Sequence, residues 1–141
     1  MAGRFPYRKR VKYPHMRPEE TDTWQRFVVK FPDRFDTIDY DFRVGLGATV
    51  SEKEEDSYRR MVTMLSQKRI DALAWNDESP TIIEVKVRTG LSALGQVLGY
   101  KVLLEKHFPN FKKAKMLIVC RYIAQDDLDV LQESKIPVEV V

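Results

Sequence analysis

The sequence is poor in the residues that build disulfide-linked or metal-clustered scaffolds. Its 141 residues include one cysteine, Cys120, and two histidines, His15 and His107. A single thiol excludes an internal disulfide, a thiolate metal cluster and a four-cysteine iron–sulfur centre. Neither histidine has a second histidine at ligand spacing, so we expect no zinc site.

Long apolar runs and glycine-rich loops are also missing. The longest uninterrupted apolar segment, Met116 to Cys120, is far shorter than the ~20 residues of a membrane-spanning helix. With six glycines in the chain, no phosphate-binding loop of the nucleotide-binding type is present. No basic-then-apolar leader opens the sequence. We therefore expect an intracellular protein, in the cytoplasm, associated with a nucleoid or of viral origin.

The composition is that of one ordinary folded domain. Hydrophobic residues make up 43% and charged residues 32% of the chain, which is unlike a disordered segment or a coiled coil. A chain of this length is close to the commonest domain size and buries roughly two-thirds of its unfolded surface. The protein therefore needs no covalent staples to fold.

Positive charge is concentrated in residues 1–17, which hold six basic residues and no acid: Arg4, Arg8, Lys9, Arg10, Lys12 and Arg17. Because the whole chain carries +3, residues 18–141 carry −3. We predict a flexible basic arm at 1–17 and a single domain at 18–141. Lysine and arginine neutralise phosphates, and the interleaved Phe5, Tyr7 and Tyr13 can stack on bases, so the arm suits a polyanion such as nucleic acid, with Arg8, Lys9, Arg10 and Lys12 as contacts. A solubilising terminus is the alternative.

Hydrophobic periodicity predicts a mixed order of helices and strands. Apolar residues at helical spacing predict helices at 18–31, roughly 50–66, 91–108 and 126–133. Period-two alternation and continuous apolar runs predict strands at 38–44, 68–75, 81–88, 115–120 and 136–141. The expected fold class is α/β or mixed α+β, with a central mixed sheet of about five strands flanked by helices.

The hairpin of strands 68–75 and 81–88 carries acidic residues at its centre. A four-residue loop at 76–79 sets a register in which Asp71 faces Glu84, with Cβ atoms about 5 Å apart. Two carboxylates this close repel each other unless a divalent cation such as Mg²⁺ or Mn²⁺ lies between them. Lys86 shares the face of Glu84 and is placed to orient a metal-bound water or stabilise charge on a phosphate. The alternative is a weak Glu84–Lys86 ion pair on a solvated strand.

Asp71, followed after twelve residues by Glu84-Val85-Lys86, resembles the core motif of the PD-(D/E)XK nuclease superfamily. Gln96 and Tyr100 resemble the Gln-x-x-x-Tyr motif of its RecB-like, Holliday-junction-resolvase-like branch. The resemblance covers most of the chain between residues 18 and 120. It departs from the family pattern at Ile70, where a proline often stands, and in the extra helix at 50–66.

The resemblance implies a restriction-endonuclease-like fold and a Mg²⁺- or Mn²⁺-dependent deoxyribonuclease that hydrolyses DNA phosphodiester bonds in repair or recombination. Asp71 and Glu84 would hold the metal and Lys86 would position the nucleophile, while Gln96 and Tyr100 would steady the lysine or the DNA backbone. A homodimer is compatible with this activity.

Many members of the superfamily add a glutamate from the first helix to the metal site. Glu20, four residues before Trp24, fits best, although acids in the first turn of a helix also interact favourably with its dipole. Glu54 has a similar claim through its i+4 relation to Tyr58. Asp39 and Asp41 share the polar face of the first strand and are weaker candidates.

Arg69 and Arg88 flank the acidic pair and present planar guanidinium groups that can bind two phosphate oxygens. A solvated strand end explains both arginines equally well. Two other functions compete with catalysis. One is a non-catalytic nucleic-acid-binding module on the same fold, and the other is an interaction domain in which Asp71 and Glu84 do not converge.

Overall fold

The structure is a computed structural model, which describes residues 2–111 and 113–141. In chain order, its elements are β1 (Phe5–Pro6), α1 (Pro18–Lys30), β2 (Thr37–Val44), α2 (Asp56–Ser66), β3 (Lys68–Asn76), β4 (Ser79–Thr89), α3 (Ser92–His107), β5 (Lys115–Ile123), α4 (Gln125–Glu133) and β6 (Val138–Val140). None of the helices in the described ranges has the length and apolar character required to cross a membrane.

The strands form one six-stranded sheet in the order β1-β2-β3-β4-β5-β6. Strands β1 to β4 pair antiparallel, whereas β4, β5 and β6 pair parallel. Parallel neighbours need a crossover, and α3 and α4 provide the two crossovers. The expected mixed α+β class with a mixed central sheet is confirmed. The sheet has one strand more than expected because β1 lies in the segment predicted to be an arm.

Helices cover both faces of the sheet. Trp24, Phe27 and Val28 recur at i, i+3 and i+4 on α1, so they share one face of the helix. That face packs on Ile83 and Val85 of β4, in a cluster that also contains residues of β2, β3 and β5. On the opposite face of the sheet, α3 packs against Leu73, Trp75 and Ile82 through Leu104, and against β5 through Ala93 and Val97. The central strands are therefore buried between α1 and α3.

In both β2 and β3, the apolar side chains switch from one face of the sheet to the other part-way along the strand. Ile38 and Tyr40 pack in the cluster under α1, whereas Phe42 and Val44 pack in the cluster under α3. Residues two apart on a regular strand share a face, so the exchange requires a local distortion. Asp41 provides it in β2 through a left-handed backbone with φ of 52°. Strand β3 makes the same exchange between Ile70 and Ala72, on either side of Asp71.

Residues 2–17 are part of the domain. Phe5 and Pro6 pair with Ile38 and Thr37. Tyr7 and Tyr13 are only 7% and 5% exposed, and their rings contact those of Trp24 and Tyr40 at centroid distances of 6.3 and 5.2 Å. The expected boundary at residue 17 is therefore wrong, and two of the three rings assigned to base stacking are buried in protein. The basic side chains Arg8, Lys9 and Lys12 are exposed.

The extra helix between the first two long strands begins later than expected, at Asp56, and none of its residues is buried. Its apolar side chains Tyr58, Met61 and Leu65 are exposed. The amphipathic pattern predicted the helix correctly, and its apolar face is not buried against the rest of the domain. Glu54 lies in the exposed loop before α2.

We expect Tyr7→Ala to lower the free energy of unfolding by about 3–5 kcal/mol, as is usual for removal of a buried aromatic ring. The substitution also removes the hydrogen bond that the Tyr7 hydroxyl donates to the carbonyl of Phe31, at 2.6 Å. The measurement is the urea midpoint, with Arg8→Ala in the exposed neighbour as the control. Equal midpoints for the two variants would mean that the segment is not packed on α1.

Candidate active site

Strands β3 and β4 pair in the expected register and then separate. Trp75 faces Pro80 as predicted, and Asn76 also pairs with Ser79, so the turn consists of Asp77 and Glu78. The ladder ends at the pair of Ala72 and Ile83. Asp71 and Glu84 would form the next pair, so they lie where the two strands diverge. We call this place the strand fork.

The Asp71 carboxylate fills the strand fork. Its Oδ2 accepts a hydrogen bond from the backbone N–H of Val85 at 2.8 Å, which gives a partner to an amide that has no carbonyl opposite it on β3. The charge of Asp71 also acts on the Glu84 carboxyl. The structure thus brings Asp71 and Glu84 close together, with Asp71 held by the backbone of β4.

Glu84 is buried beside this negative charge. The residue is 2% exposed, and its Oε2 has no hydrogen-bond partner among the described residues. Burial and then the charge of Asp71 raise the pKa of the Glu84 carboxyl well above its usual range. Lys86 opposes this shift, with its Nζ 3.6 Å from Glu84 Oε1. A buried oxygen without a partner, next to a second carboxylate, is an arrangement that a cation would satisfy.

Lys86 connects the buried acids to solvent. Its side chain is 40% exposed whereas that of Glu84 is 3% exposed, so the ammonium group stands between the fork and the surface. A substrate phosphate that approached the acids would meet this ammonium group.

Gln96 and Tyr100 lie one turn apart on the same face of α3, and Tyr100 lies near enough to the fork for the charges of both acids to act on it. Burial, followed by the charges of Glu84 and Asp71, raises the pKa of Tyr100 to about 12, and a hydrogen bond with Gln96 opposes the shift. The Tyr100 hydroxyl therefore keeps its proton at neutral pH and can donate a hydrogen bond.

Glu20 approaches the fork from the first turn of α1. Burial and then the charge of Asp71 raise the pKa of Glu20, while Lys86 and Arg17 oppose the shift. Across the described part of the chain, however, no three acidic, histidine or cysteine side chains are grouped closely enough to hold a metal ion. The structure thus shows a close pair, Asp71 and Glu84, with Glu20 as a charged neighbour and not the third member of a group.

The weaker acidic candidates have other partners. Asp39 is buried and accepts hydrogen bonds from the backbone N–H of Arg4 at 3.0 Å and from the indole N–H of Trp75 at 3.1 Å. Asp39 therefore connects the N-terminal segment to the sheet and does not serve the fork. Asp41 pairs with His15 at 3.0 Å and with Arg69 at 3.7 Å.

The predicted phosphate contacts occupy different environments. Arg8, Lys9, Lys12 and Arg88 are exposed, and the Arg88 guanidinium lies over the Tyr122 ring at 5.6 Å. Arg10 differs, because its guanidinium packs on Phe5 at 4.1 Å and its Nη1 is buried. We therefore assign Arg10 to the fold and correct its placement among exposed DNA contacts.

The sequence does not predict the contacts of His15. Its ring lies between Asp41 and Arg69. The folding of residues 2–17 onto the sheet brings it there, and no local pattern in the sequence signals that contact.

Comparisons with known proteins find neither a matching family model nor a matching curated protein. Among solved structures, EndoMS in complex with double-stranded DNA is similar with a TM-score of 0.51 and 13% identity over 94% of this chain. The fold of this chain is similar to that of EndoMS. A repair endonuclease from Pyrococcus abyssi has a TM-score of 0.49 and 10% identity over 85% of this chain. The chain spans about half the length of these two proteins, 48% and 46% respectively.

We expect Glu84→Gln to stabilise the metal-free protein at pH 8 by about 1–3 kcal/mol, the usual cost of a buried polar group left without a partner. The raised pKa means that folded Glu84 keeps a proton that the unfolded chain has lost. The free energy of unfolding therefore falls as the pH rises from the usual carboxyl pKa toward the raised pKa of folded Glu84. Glutamine does not titrate, so Glu84→Gln removes this dependence.

The measurement is urea unfolding in chelator at pH 6 and pH 8, with the exposed Glu133→Gln of α4 as the matched control. The gain from Glu84→Gln is expected to be larger at pH 8 than at pH 6. A loss of stability at both pH values would contradict the assignment of Glu84 as a strained buried acid.

Proposed function

We propose that this protein is a metal-dependent nuclease that hydrolyses phosphodiester bonds in DNA. The observation that carries the proposal is the juxtaposition of Asp71 and Glu84 at the strand fork, with Lys86 beside Glu84. The arrangement combines two hard oxygen ligands with a cation at the surface. It matches the chemistry that the sequence resemblance implies for these three residues.

Asp71 and Glu84 fit a divalent cation such as Mg²⁺ or Mn²⁺. Both offer carboxylate oxygens, and Glu84 Oε2 is buried without a partner in the described chain. Mg²⁺ is often held by one or two carboxylates, with waters and substrate phosphates completing its shell. When bound, such an ion lowers the pKa of a coordinated water and neutralises charge on the phosphate.

Three further side chains would serve the substrate. Lys86 and Tyr100 would contact it, and Gln96 would orient Tyr100. The half-exposed Lys86 ammonium would bind a phosphate oxygen or hold the attacking water in place. Protonated Tyr100 would donate a hydrogen bond toward the same region, with Gln96 orienting its hydroxyl. The Gln96–Tyr100 pair on the face of α3 supports placing the protein in the RecB-like branch.

Exposed basic side chains support DNA as the substrate. Arg8, Lys9, Lys12 and Arg88 are exposed and basic, and such side chains bind phosphates without regard to base sequence. The neighbour EndoMS was solved in complex with double-stranded DNA. A role in repair or recombination would follow from this substrate.

We expect Lys86→Ala and Glu84→Ala each to lower the cleavage rate by at least about 100-fold, the usual effect of removing a group that stabilises transition-state charge. The assay incubates purified protein with linear, nicked, branched and single-stranded DNA in Mg²⁺, Mn²⁺ or chelator. Cleavage should require the metal and disappear in chelator.

Lys106→Ala and Glu133→Ala are the matched controls, because both residues are exposed on helices away from the acidic pair. They should cut DNA at the wild-type rate. DNA binding without cleavage under every metal condition would instead show a binding module on the same fold.

We expect Tyr100→Phe to lower kcat about tenfold, the value of one hydrogen bond to a charged group, with little change in KM. Tyr122→Phe is the control, since Tyr122 is an exposed tyrosine on β5. A change confined to KM would place the Tyr100 hydroxyl in DNA binding and not at the reacting phosphate.

A further inference from the structure

Three side chains from separate parts of the chain meet next to Asp71. His15 comes from the segment before α1, Asp41 from β2 and Arg69 from β3. His15 Nε2 lies 3.0 Å from Asp41 Oδ2, and Arg69 Nη1 lies 3.2 Å from His15 Nδ1. Arg69 Nε is also 3.7 Å from Asp41 Oδ1. We call these residues the His15 cluster.

The hydrogen bonds of the His15 cluster define its protonation. Arginine has only N–H donors, so His15 Nδ1 must be the acceptor of the Arg69 bond. The His15 Nε2–H then donates to Asp41, and both ring nitrogens of a neutral imidazole are used. Arg69 is therefore held from two sides, by the ring of His15 and by the carboxylate of Asp41.

The backbone is distorted at two members of this cluster. His15 and Asp41 have φ values of 57° and 52°, a left-handed conformation that costs non-glycine residues about 1–2 kcal/mol. The two left-handed residues contact each other directly. Strain of this kind persists only where the surrounding structure imposes it, and it is concentrated at functional sites.

The cluster stands on the β2 side of the strand fork. The pairs of Tyr40 with Ala72 and Phe42 with Ile70 place Asp41 alongside Asp71. Arg69 precedes Asp71 by two residues on β3, about 6.6 Å along a strand. The Arg69 side chain is 30% exposed, and in the described part of the chain its Nη2 makes no hydrogen bond or ion pair.

We infer that Arg69 binds the DNA phosphate next to the scissile phosphate, and that His15 and Asp41 are positioning residues that fix its guanidinium. The inference rests on the proposed nuclease function and adds a substrate contact to the same site. Lys86 and the acidic pair serve the reacting phosphate at the fork. Arg69 lies beyond Asp71 on the β2 side, where the neighbouring phosphate of the same strand would pass.

The first test measures DNA affinity in a Lys86→Met background with Mg²⁺, so that the strand is not cut. The probe is a short fluorescein-labelled oligonucleotide, single-stranded or duplex, followed by anisotropy across a range of salt concentrations. Arg69→Gln should weaken binding about tenfold, as expected for one charge-assisted hydrogen bond. The slope of log K against log salt should fall by about 0.7 to 0.9, as expected for one phosphate contact.

Arg34→Gln is the matched control. The Arg34 side chain is 31% exposed and ion-paired with Glu139 at 3.1 Å, and it lies at the hairpin end of the sheet, where its carbonyl accepts a hydrogen bond from Asn76. The same change of charge there should alter neither the affinity nor the slope.

The second test isolates the positioning role with His15→Gly, since glycine accepts the left-handed backbone without a side chain. In the Lys86-containing enzyme this variant should raise KM about threefold to fivefold, with kcat unchanged. His15→Asn tolerates the same backbone and retains a hydrogen-bonding group, so it should recover part of the loss. A purely structural histidine would change thermal stability and leave KM unaltered.

Failure of the inference can be distinguished from failure of the proposed function. The inference is overturned, and the nuclease function stands, if the wild-type protein cuts DNA and the variants do not differ from their parents: Arg69→Gln in affinity and salt slope, and His15→Gly in KM. Wild-type protein that neither cuts nor binds any DNA overturns both. If Arg69→Gln does not fold, the KM of His15→Gly decides the result.

Discussion

The strand fork depends on one backbone amide that the strand pairing leaves without a carbonyl acceptor. Where β3 and β4 separate, the N–H of Val85 has no carbonyl opposite it, and the carboxylate of Asp71 takes that place at 2.8 Å. A buried amide without a partner is costly, so the backbone itself fixes this acid. Glu84 is then buried near a carboxylate whose charge raises its pKa. The strained acid pair is a consequence of how the sheet opens.

The two faces of the sheet contribute different groups to the surroundings of the fork. On one side, α3 contributes the hydroxyl of Tyr100 and the amide of Gln96. On the other, α1 brings Glu20 toward Asp71, and the segment before it brings His15 to Asp41. Residues 2–17 reach this position because Tyr7 and Tyr13 pack on Trp24 and Tyr40. The aromatic packing of the N-terminal segment thus also places His15 beside Asp41.

The parts of the fold that could be predicted from sequence are those governed by short-range periodicity. The i, i+3, i+4 spacing placed α1, turn-forming residues gave the register of β3 and β4, and the i+4 relation put Gln96 and Tyr100 on one face of α3. The role of residues 2–17 could not be predicted, because rings within a basic segment suit base stacking and core packing equally. Alternation in β2 continues unbroken through Asp41, so it cannot show the left-handed residue at which the faces exchange.

The two acids at the fork have opposite effects on the fold. Asp71 satisfies a backbone group and helps to hold the sheet together, whereas Glu84 is a buried acid whose raised pKa makes it a cost to stability as the pH rises. A lineage that lost catalysis while keeping this architecture would gain stability by replacing Glu84 and lose it by replacing Asp71. In such a lineage the glutamate would disappear first, and the aspartate would persist as a remnant of the lost activity.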